Sequence, residues 1–582
     1  MTEYLIAVSL GPVQDFIAAA RKTRDLWAGS RLLSELSRAA ARRLAAQGAR
    51  LIFPSPHALE VEAGVANKLL AVATTQDPRG LADVARTAAQ QELEQRGNRA
   101  LASAQGAGVP VDQTAFHAQI DGFLEWYAAW APVSASDYAG ARIHVERLLA
   151  GRKALRDFRP AYGIPGRPKS SLDPSRESVL QWGVGSKSPL QSIRDHEHLD
   201  AISLVKRLGE QHRFRSVSRV AIDPFVRRLA ASDTARATLE QLRELAQQLG
   251  HTRAVEPLDD PADRFPWDTE LWYSDHANDD RVPDELKGVA RQFNQLARNA
   301  ARDAGVELPA YYAVLKADGD RMGKVIGGLI TPEQHQGLSD QLVAFTRAAE
   351  QVVRGHFGAL IYSGGDDVLA LVPVDQVAAC ATQLRAQFAT LVRPPGGVKA
   401  TLSIGLAIAH YNEPLTEVLR WVSEAEQRAK THRDAVALAV HTRSGGRAAV
   451  AASMAPGDPI LDRLDKWVTL LRHDALPDGA AYELRALAAE LAGQPQEVST
   501  ALVGPEAERI LRRKRAERGS EAVASATREA LLTHLGAGGD NPAPARLESL
   551  AEELVVARHL ARATDVAEGP LIRQEQEAAV AG

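Results

Sequence analysis

Two acidic runs, each following an apolar strand, constrain this chain more than any other feature. The first is Ala-Val-Leu-Lys-Ala-Asp318-Gly319-Asp320-Arg-Met-Gly323-Lys324. It reads as a buried strand ending in carboxylates. Side chains alternate along a strand, so Asp318 and Asp320 are predicted to share a face. The second run is Leu-Ile-Tyr-Ser-Gly364-Gly365-Asp366-Asp367-Val-Leu-Ala-Leu-Val. Apolar strands flank its glycine pair, and glycine supplies the positive φ of a tight turn. A β-hairpin with Asp366 and Asp367 at its tip is predicted.

If the two strands are neighbours, three or four carboxylates converge at one end of a sheet. Two such charges ~4 Å apart repel by about 4 kcal/mol at an effective dielectric near 20. A cation among them relieves that repulsion. Hard oxygen donors with open positions suit Mg²⁺ or Mn²⁺, which keep waters and recruit substrate phosphates. Two such ions can activate an attacking hydroxyl and stabilise a leaving pyrophosphate. The reaction class that follows is nucleotidyl transfer from a nucleoside triphosphate. Either motif alone is an ordinary turn; the pair, a helix apart and each after an apolar strand, points to a metal site. Gly323 is predicted to open a helix whose first amides favour phosphate.

The 582 residues are enough for about three or four domains with sizeable cores. A net charge of −4 leaves no global basic signature of a nucleic-acid coat. The single cysteine, Cys380, excludes a disulfide framework and a cysteine-based zinc site within the chain. In Val-Ala-Ala-Cys-Ala it reads as a core residue of a helix. No apolar run reaches membrane-spanning length, and the first residues lack a signal peptide's basic and apolar regions. A cytoplasmic protein with no membrane partner is predicted.

Leu5–Ser9 reads as a strand. Gly11-Pro12 turns it into a helix carrying Arg21, Lys22, Arg24, Asp25 and Trp27; Gly29-Ser30 then breaks to a second helix over 32–47. Strands are predicted near 51 and 66–73, and helices over 79–105, 113–130 and 138–158. The basic loop Tyr162–Ser175, with Arg167, Lys169, Ser170, Ser171 and Asp173, reads as a solvated linker or as a phosphate-facing loop. Leu199–Leu208 reads as a helix and Arg219–Pro224 as a strand. Residues 226–305 are mainly helical, with a Pro/Asp/Trp loop near 256–285. After the hairpin come a helix over 376–392, a strand over 398–410, a helix over 415–431 and a last strand over 436–441. The order β-α-β-β-α-β from 311 to 441 is ferredoxin-like. Beyond Met454 the chain is helical, with a Gly/Asn/Pro loop near 536–544. There Arg509, Arg512, Arg513, Lys514 and Arg515 form either a solvated helix face or a nucleic-acid patch.

Together, Gly11-Pro-Val-Gln-Asp-Phe-Ile-Ala-Ala-Ala-Arg-Lys-Thr-Arg-Asp-Leu-Trp-Ala-Gly-Ser, Pro168-Lys-Ser-Ser-Leu-Asp, Asp318-Gly-Asp-Arg-Met-Gly and Ser363-Gly-Gly-Asp-Asp resemble one family. It is the large Palm-domain subunit of type III CRISPR effector complexes (Cas-ten family), with the type III-B, or Cmr, branch fitting best. The resemblance spans about residues 1–445. It implies an α+β protein: two facing ferredoxin-like Palm domains with helical insertions, a helical linker domain and an all-α C-terminal domain. The expected divisions are 1–225 for the first Palm, 226–305 for the linker, 306–450 for the second Palm and 451–582 for the tail.

The resemblance further implies a subunit that assembles with other Cmr subunits and crRNA. When target RNA pairs, it converts ATP into cyclic oligoadenylate. Asp318, Asp366 and Asp367 match the family's metal-binding and catalytic positions. Gly319, Asp320, Gly323, Gly364, Gly365, Ser403, Gly405 and Lys430 match or neighbour its nucleotide-binding positions. Asp320 is the weaker candidate, and Lys430 is expected to meet the triphosphate. The first Palm, lacking an acidic hairpin, is expected to hold an acceptor ATP.

Two departures from the family are visible. Many relatives begin with an HD nuclease domain, whereas this chain begins at the first Palm. Its His-Asp dipeptide, His473-Asp474, lies in the C-terminal helices without companion ligands, so no DNase activity is expected. The usual cysteine zinc cluster cannot form, so packing within 226–305 is expected to replace it and no zinc is predicted. The alternatives are an inactive scaffold that organises crRNA and partner subunits, and a free-standing enzyme that cyclises GTP.

Overall fold

The structure, a computed structural model, describes residues 2–60, 64–134, 137–155, 163–183, 187–190, 192–209, 214–260, 263–273, 281–457, 459–516, 522–536 and 543–569. Parts of the loops predicted near 162–175, 256–285 and 536–544 lie outside these residues.

The first sheet is built from β1 (Thr2–Gly11), β2 (Arg50–Phe53), β3 (Lys68–Thr75) and β4 (Glu125–Pro132), in the order β2-β3-β1-β4. Helix α1 (Thr23–Ala46) follows β1 and α2 (Pro78–Gly106) follows β3. This is the ferredoxin-like arrangement, with every neighbouring pair antiparallel. Ile6, Val8, Leu69 and Ala71 pack on one face against Leu36, Ala40, Ala89 and Leu93 of the two helices. The other face is covered by α3 (Tyr138–Ala154) through Tyr138, Val145 and Leu149.

Several sequence expectations change here. The predicted break at Gly29-Ser30 is absent, and α1 runs through it. Gly29 is there for packing: a Cβ would meet the Lys206 side chain at 3.0 Å. Gly11-Pro12 does lead into a helix, but only over Gln14–Ala18; α1 starts separately at Thr23, where Asp25 accepts from the Arg21 and Lys22 amides at 3.0 Å each. The helix expected over 113–130 stops at Asp121, because Glu125–Pro132 pairs with β1. Arg219–Pro224 lies within helix α4 (Val217–Ala231) rather than a strand. Its residues 218–226 are all buried, and the helical signal is carried by charged residues, Arg219, Asp223 and Arg227, paired one turn apart.

The second sheet is organised around β5 (Tyr311–Gly319). Helix α5 (Pro332–Gly355), strands β6 (Ala359–Gly364) and β7 (Asp367–Pro373), helix α6 (Val377–Leu391) and β8 (Leu402–His410) complete a second β-α-β-β-α-β unit. That unit closes at His410, not at 441. Helix α7 (Leu415–His432), β9 (Ala435–His441) and a further strand, β10 (Arg447–Ser453), extend it. The order is β10-β9-β8-β5-β7-β6, with β8 and β9 parallel. Both faces are buried, and β8 accordingly reads as a nearly continuous apolar run. One face, with Ala313, Leu315 and Val368, packs on α5, α6 and the C-terminal helices. The other, with Tyr312, Val314 and Leu371, packs on α4, the helices Asp233–Leu249 and Lys287–Asp303, and α7. Buried Cys380 sits in α6 as predicted, its thiol pushed up to about 12 by burial. The cuts expected at 225/226 and 450/451 fall inside α4 and β10.

Between the sheets runs a chain of buried charges. Asp263 takes Arg215 at 2.6 Å and also Arg219; Arg219 reaches Asp223 at 3.1 Å; Arg227 joins Asp223 at 2.8 Å to Asp375 at 2.6 Å. It fastens α4 to a loop of the linker region and to the end of β7. Beside it, Phe265, Trp272 and Phe293 pack edge to face, with centroids 4.8 and 5.0 Å apart for the Phe265–Trp272 and Trp272–Phe293 pairs. Among the described residues, no helix is long and apolar enough to cross a membrane.

Candidate active site

Strand alternation builds the site. On one face of β5, Tyr312 and Val314 are buried in the core, while Lys316 and Asp318 continue that face towards the strand end. β5 and β7 are antiparallel with Ala317 opposite Val368, so the next pair outward is Asp318 and Asp367. The turn between β6 and β7 consists of Gly365 and Asp366. Gly365 has φ +70°, a conformation that glycine adopts without strain.

The carboxylates meet. Those of Asp367 and Asp318 are within hydrogen-bonding reach. The Asp366 carboxylate lies against the Gly319 backbone: a Cβ on Gly319 would lie 2.7 Å from an Asp366 oxygen. Glycine at 319 is therefore a condition of the close approach. Burial, then the Asp318 charge, pushes the Asp366 carboxyl up to about 6. Burial, then Asp366 and Asp318, raises Asp367 as well. Burial and these same carboxylates raise the Tyr362 hydroxyl.

A line of alternating charge leads away from the corner. The Lys430 ammonium donates to Asp318 at 2.7 Å and to Glu426 at 2.9 Å; Lys316 stands 3.4 Å from Glu426. Burial opposes the Lys430 charge, but Asp318 and Glu426 outweigh it and raise its pKa. Glu426 and Lys316 are absent from the sequence-based site. Their signal was spacing: Glu426 lies one helical turn from Lys430, and Lys316 two strand residues from Asp318.

The other predicted residues separate into two groups. Gly364 ends β6, where a Cβ would meet the Tyr362 hydroxyl at 2.5 Å. Gly365, as above, makes the turn. Asp320 does not join the acidic corner. β5 ends at Gly319, and buried Asp320 accepts from Thr401 and Ser403 at 2.7 Å and from the Asp434 amide at 2.8 Å, with Arg433 at 3.4 Å. Ser403 thus spends its hydroxyl on Asp320. Gly405 serves packing: a Cβ would come 2.3 Å from the Glu426 amide nitrogen, so glycine lets α7 lie on the sheet and bring Lys430 to Asp318. Gly323 is exposed and second in the six-residue helix Met322–Gly327, which Arg321 precedes at φ +55°.

Two basic segments are engaged within the chain. Arg167 pairs with Asp112 at 2.5 Å, Ser170 donates to Asp200 at 2.7 Å and Arg176 pairs with Asp173 at 3.1 Å. Arg509 pairs with Glu506 at 2.7 Å, and Arg513 and Lys514 share Glu483. The second arrangement favours the solvated reading; the first segment is instead packed on its own domain, with Ser170 and Leu172 buried.

Among the described residues, no three acidic, histidine or cysteine side chains already stand spaced to hold a metal ion. Asp318 gives an oxygen to Lys430 instead. The donor chemistry nevertheless fits a hard divalent cation: the corner offers carboxylate oxygens, two of the groups strained by burial and mutual repulsion.

Comparison with known proteins agrees with this geometry. Residues 311–437 match the family described as Cas10/Cmr2, second palm domain, and residues 5–114 match CRISPR-associated protein Cmr2, N-terminal. An alignment over 170 residues, covering 24% of this chain, is 34% identical to the CRISPR system Cmr subunit Cmr2 of Pyrococcus furiosus. The match spans 19% of that relative's length. The fold resembles a chain of the type III-B Cmr-beta apo state, with TM-score 0.62 and 13% identity over 86% of this chain and 77% of that one. It also resembles a chain of Cmr-beta bound to cognate target RNA, with TM-score 0.59 and 13% identity over 90% and 79%. The chain thus carries two regions of the Cas10/Cmr2 family, the N-terminal region over residues 5–114 and the second palm domain over residues 311–437.

Proposed function

We propose that this chain is the large subunit of a type III-B CRISPR RNA-guided complex. On target-RNA binding, its acidic corner carries out metal-dependent nucleotidyl transfer on ATP. The product is cyclic oligoadenylate or a related AMP-containing messenger. Other Cmr subunits, crRNA and target RNA are its partners. The observation that carries the reading is the meeting of Asp318 and Asp367, from strands 49 residues apart in sequence, beside Asp366 against the Gly319 backbone.

In the transfer, a 3′-hydroxyl oxygen bonds to the α-phosphorus of a second nucleotide. The bond from that phosphorus to pyrophosphate breaks, and the hydroxyl proton leaves. Asp318, Asp366 and Asp367 would hold Mg²⁺ or Mn²⁺, which when bound offsets triphosphate charge and acidifies the hydroxyl. Lys430 supplies a cation at the same corner, and Glu426 keeps it directed there when no nucleotide is bound. Gly364 and Gly365 let the hairpin backbone approach without side-chain bulk. The first Palm holds the acceptor nucleotide.

The test is the Asp366→Ala, Asp367→Ala double variant in the assembled complex, with target RNA, Mg²⁺ and labelled ATP. Transfer is expected to fall roughly a thousandfold. Unchanged product overturns the reading. A scaffold role is the second reading, favoured by the Lys430 contact that occupies Asp318. A wild-type complex that assembles yet consumes neither ATP nor GTP supports it.

A further inference from the structure

The first sheet domain touches the acidic hairpin through the loop before β3. That loop is fastened from within its own domain. The Val65 amide donates to Ser34 Oγ on α1 at 2.7 Å, and the Val65 side chain is buried. The Leu10 amide donates to the Asn67 carbonyl at 2.8 Å, and Asn67 Nδ2 returns a bond to the Leu10 carbonyl at 3.1 Å.

Held in this way, Gly64 lies against the backbone of β6. A Cβ at position 64 would stand 2.2 Å from the Ser363 carbonyl oxygen, 3.3 Å from its carbon and 3.8 Å from Gly364 Cα. These atoms are main chain, so they cannot swing aside as the end of a side chain can. Ser363 and Gly364 are the last residues of β6, and Asp366 and Asp367 follow at once. The Ser363 hydroxyl is buried without a hydrogen-bond partner, so it does not tether this strand end.

We propose that Gly64 is a positioning residue, through which the first sheet domain sets the place of the Asp366–Asp367 hairpin. Gly64 touches no reacting group. It fixes the hairpin's outer edge, so a shift between the two sheet domains is delivered to the carboxylates through main-chain contact. Only the activity arm of the test rests on the nucleotidyl-transfer reading.

The test uses Gly64→Ala, with Ser34→Ala as a milder variant that frees the loop without adding an atom. Gly106→Ala is the control, since a Cβ there meets nothing within 4 Å. Hydrogen exchange over residues 359–373 is followed in the full chain without nucleotide, and kcat and KM for ATP in the assembled complex. Gly64→Ala is expected to lower kcat by about tenfold to a hundredfold with KM nearly unchanged, and to speed exchange at the hairpin. Ser34→Ala moves both readouts in the same direction, with kcat down by about fivefold. Wild-type exchange and kcat in both variants overturn the proposal. If Gly64→Ala does not fold, Ser34→Ala decides. If the wild-type complex makes no product, the nucleotidyl-transfer reading fails and the exchange result alone decides the contact.

Discussion

The two sheets share a strand order and differ where their first and third strands end. In the second sheet the last pair is Ala317 and Val368, and Asp318 and Asp367 stand next outward. In the first, the corresponding pair is Ser9 and Lys68. Lys68 pairs with Glu146 at 2.9 Å, and Ser9 accepts from Lys153 at 3.2 Å. Each first strand ends in a glycine packed on a carboxylate: a Cβ on Gly11 would meet Glu125 at 2.8 Å, and one on Gly319 would meet Asp366 at 2.7 Å. The hairpin connections differ too. Two residues join β6 to β7, whereas residues 54–67 join β2 to β3 and carry Gly64 across to the other sheet. The same topology therefore delivers strand ends to one point in both halves. The proposed chemistry belongs to the half whose ends are acidic, and the other half is free to orient it.

The sharpest way to break this contrast is to give the second sheet the first sheet's residue. Asp367→Lys is expected to fold, because the first sheet accommodates lysine at that place, and to lower nucleotidyl transfer by roughly a thousandfold. Lys68→Ala, its counterpart, is expected to change transfer by no more than a few-fold. Equal losses would show that the halves are not distinct. Next in size is Gly405→Ala, which drives a Cβ into the α7 main chain. It should destabilise the second sheet domain by about 3 kcal/mol in denaturant unfolding, and transfer should fall with the displaced Lys430.

The third prediction concerns the seam between the halves. His335 of α5 is buried against Tyr138 of α3, with Nδ1 2.8 Å from the phenol oxygen. Burial, then the charges of Arg142 and Lys68, pushes its pKa down to about 4 from an ordinary 6.5. The unfolded chain therefore binds the proton first. Stability is complete above about pH 6.5 and declines as pH falls towards 4. Between pH 7 and pH 5 the loss is about 2 kcal/mol. His335→Leu should flatten that part of the stability curve, and an unchanged slope would place the acid sensitivity elsewhere.

Much of this was legible in the residues. The alternation of β5 and the glycine turn placed Asp318, Asp366 and Asp367 together before any coordinates. The fate of Asp320 was not legible, because strand alternation fails once the strand ends, and its partners Thr401, Ser403 and Asp434 lie more than 80 residues away. Gly405 carried no signal of its own either, since a packing glycine and a ligand-facing glycine look alike in one sequence. Arg219–Pro224 misled because its apolar residues read as a strand, although Arg219, Asp223 and Arg227 recur at the helical interval of four. Glu426 and Lys316 could have been found by asking which residues lie one turn, or one strand repeat, from a residue already singled out.

The relay of arginine and aspartate from Arg215 to Asp375 has a practical corollary. Each inner member is shared by two neighbours, so loss of Asp223 takes one carboxylate from both Arg219 and Arg227 while Asp263 and Asp375 still hold them, and the joint is weakened rather than released. A chain with one cysteine has no thiolate-bound zinc at this joint for EDTA to strip or an oxidant to release. Chelation can therefore test the metal proposed for the acidic corner while this relay of ion pairs, which joins α4 to the linker loop and the end of β7, stays in place.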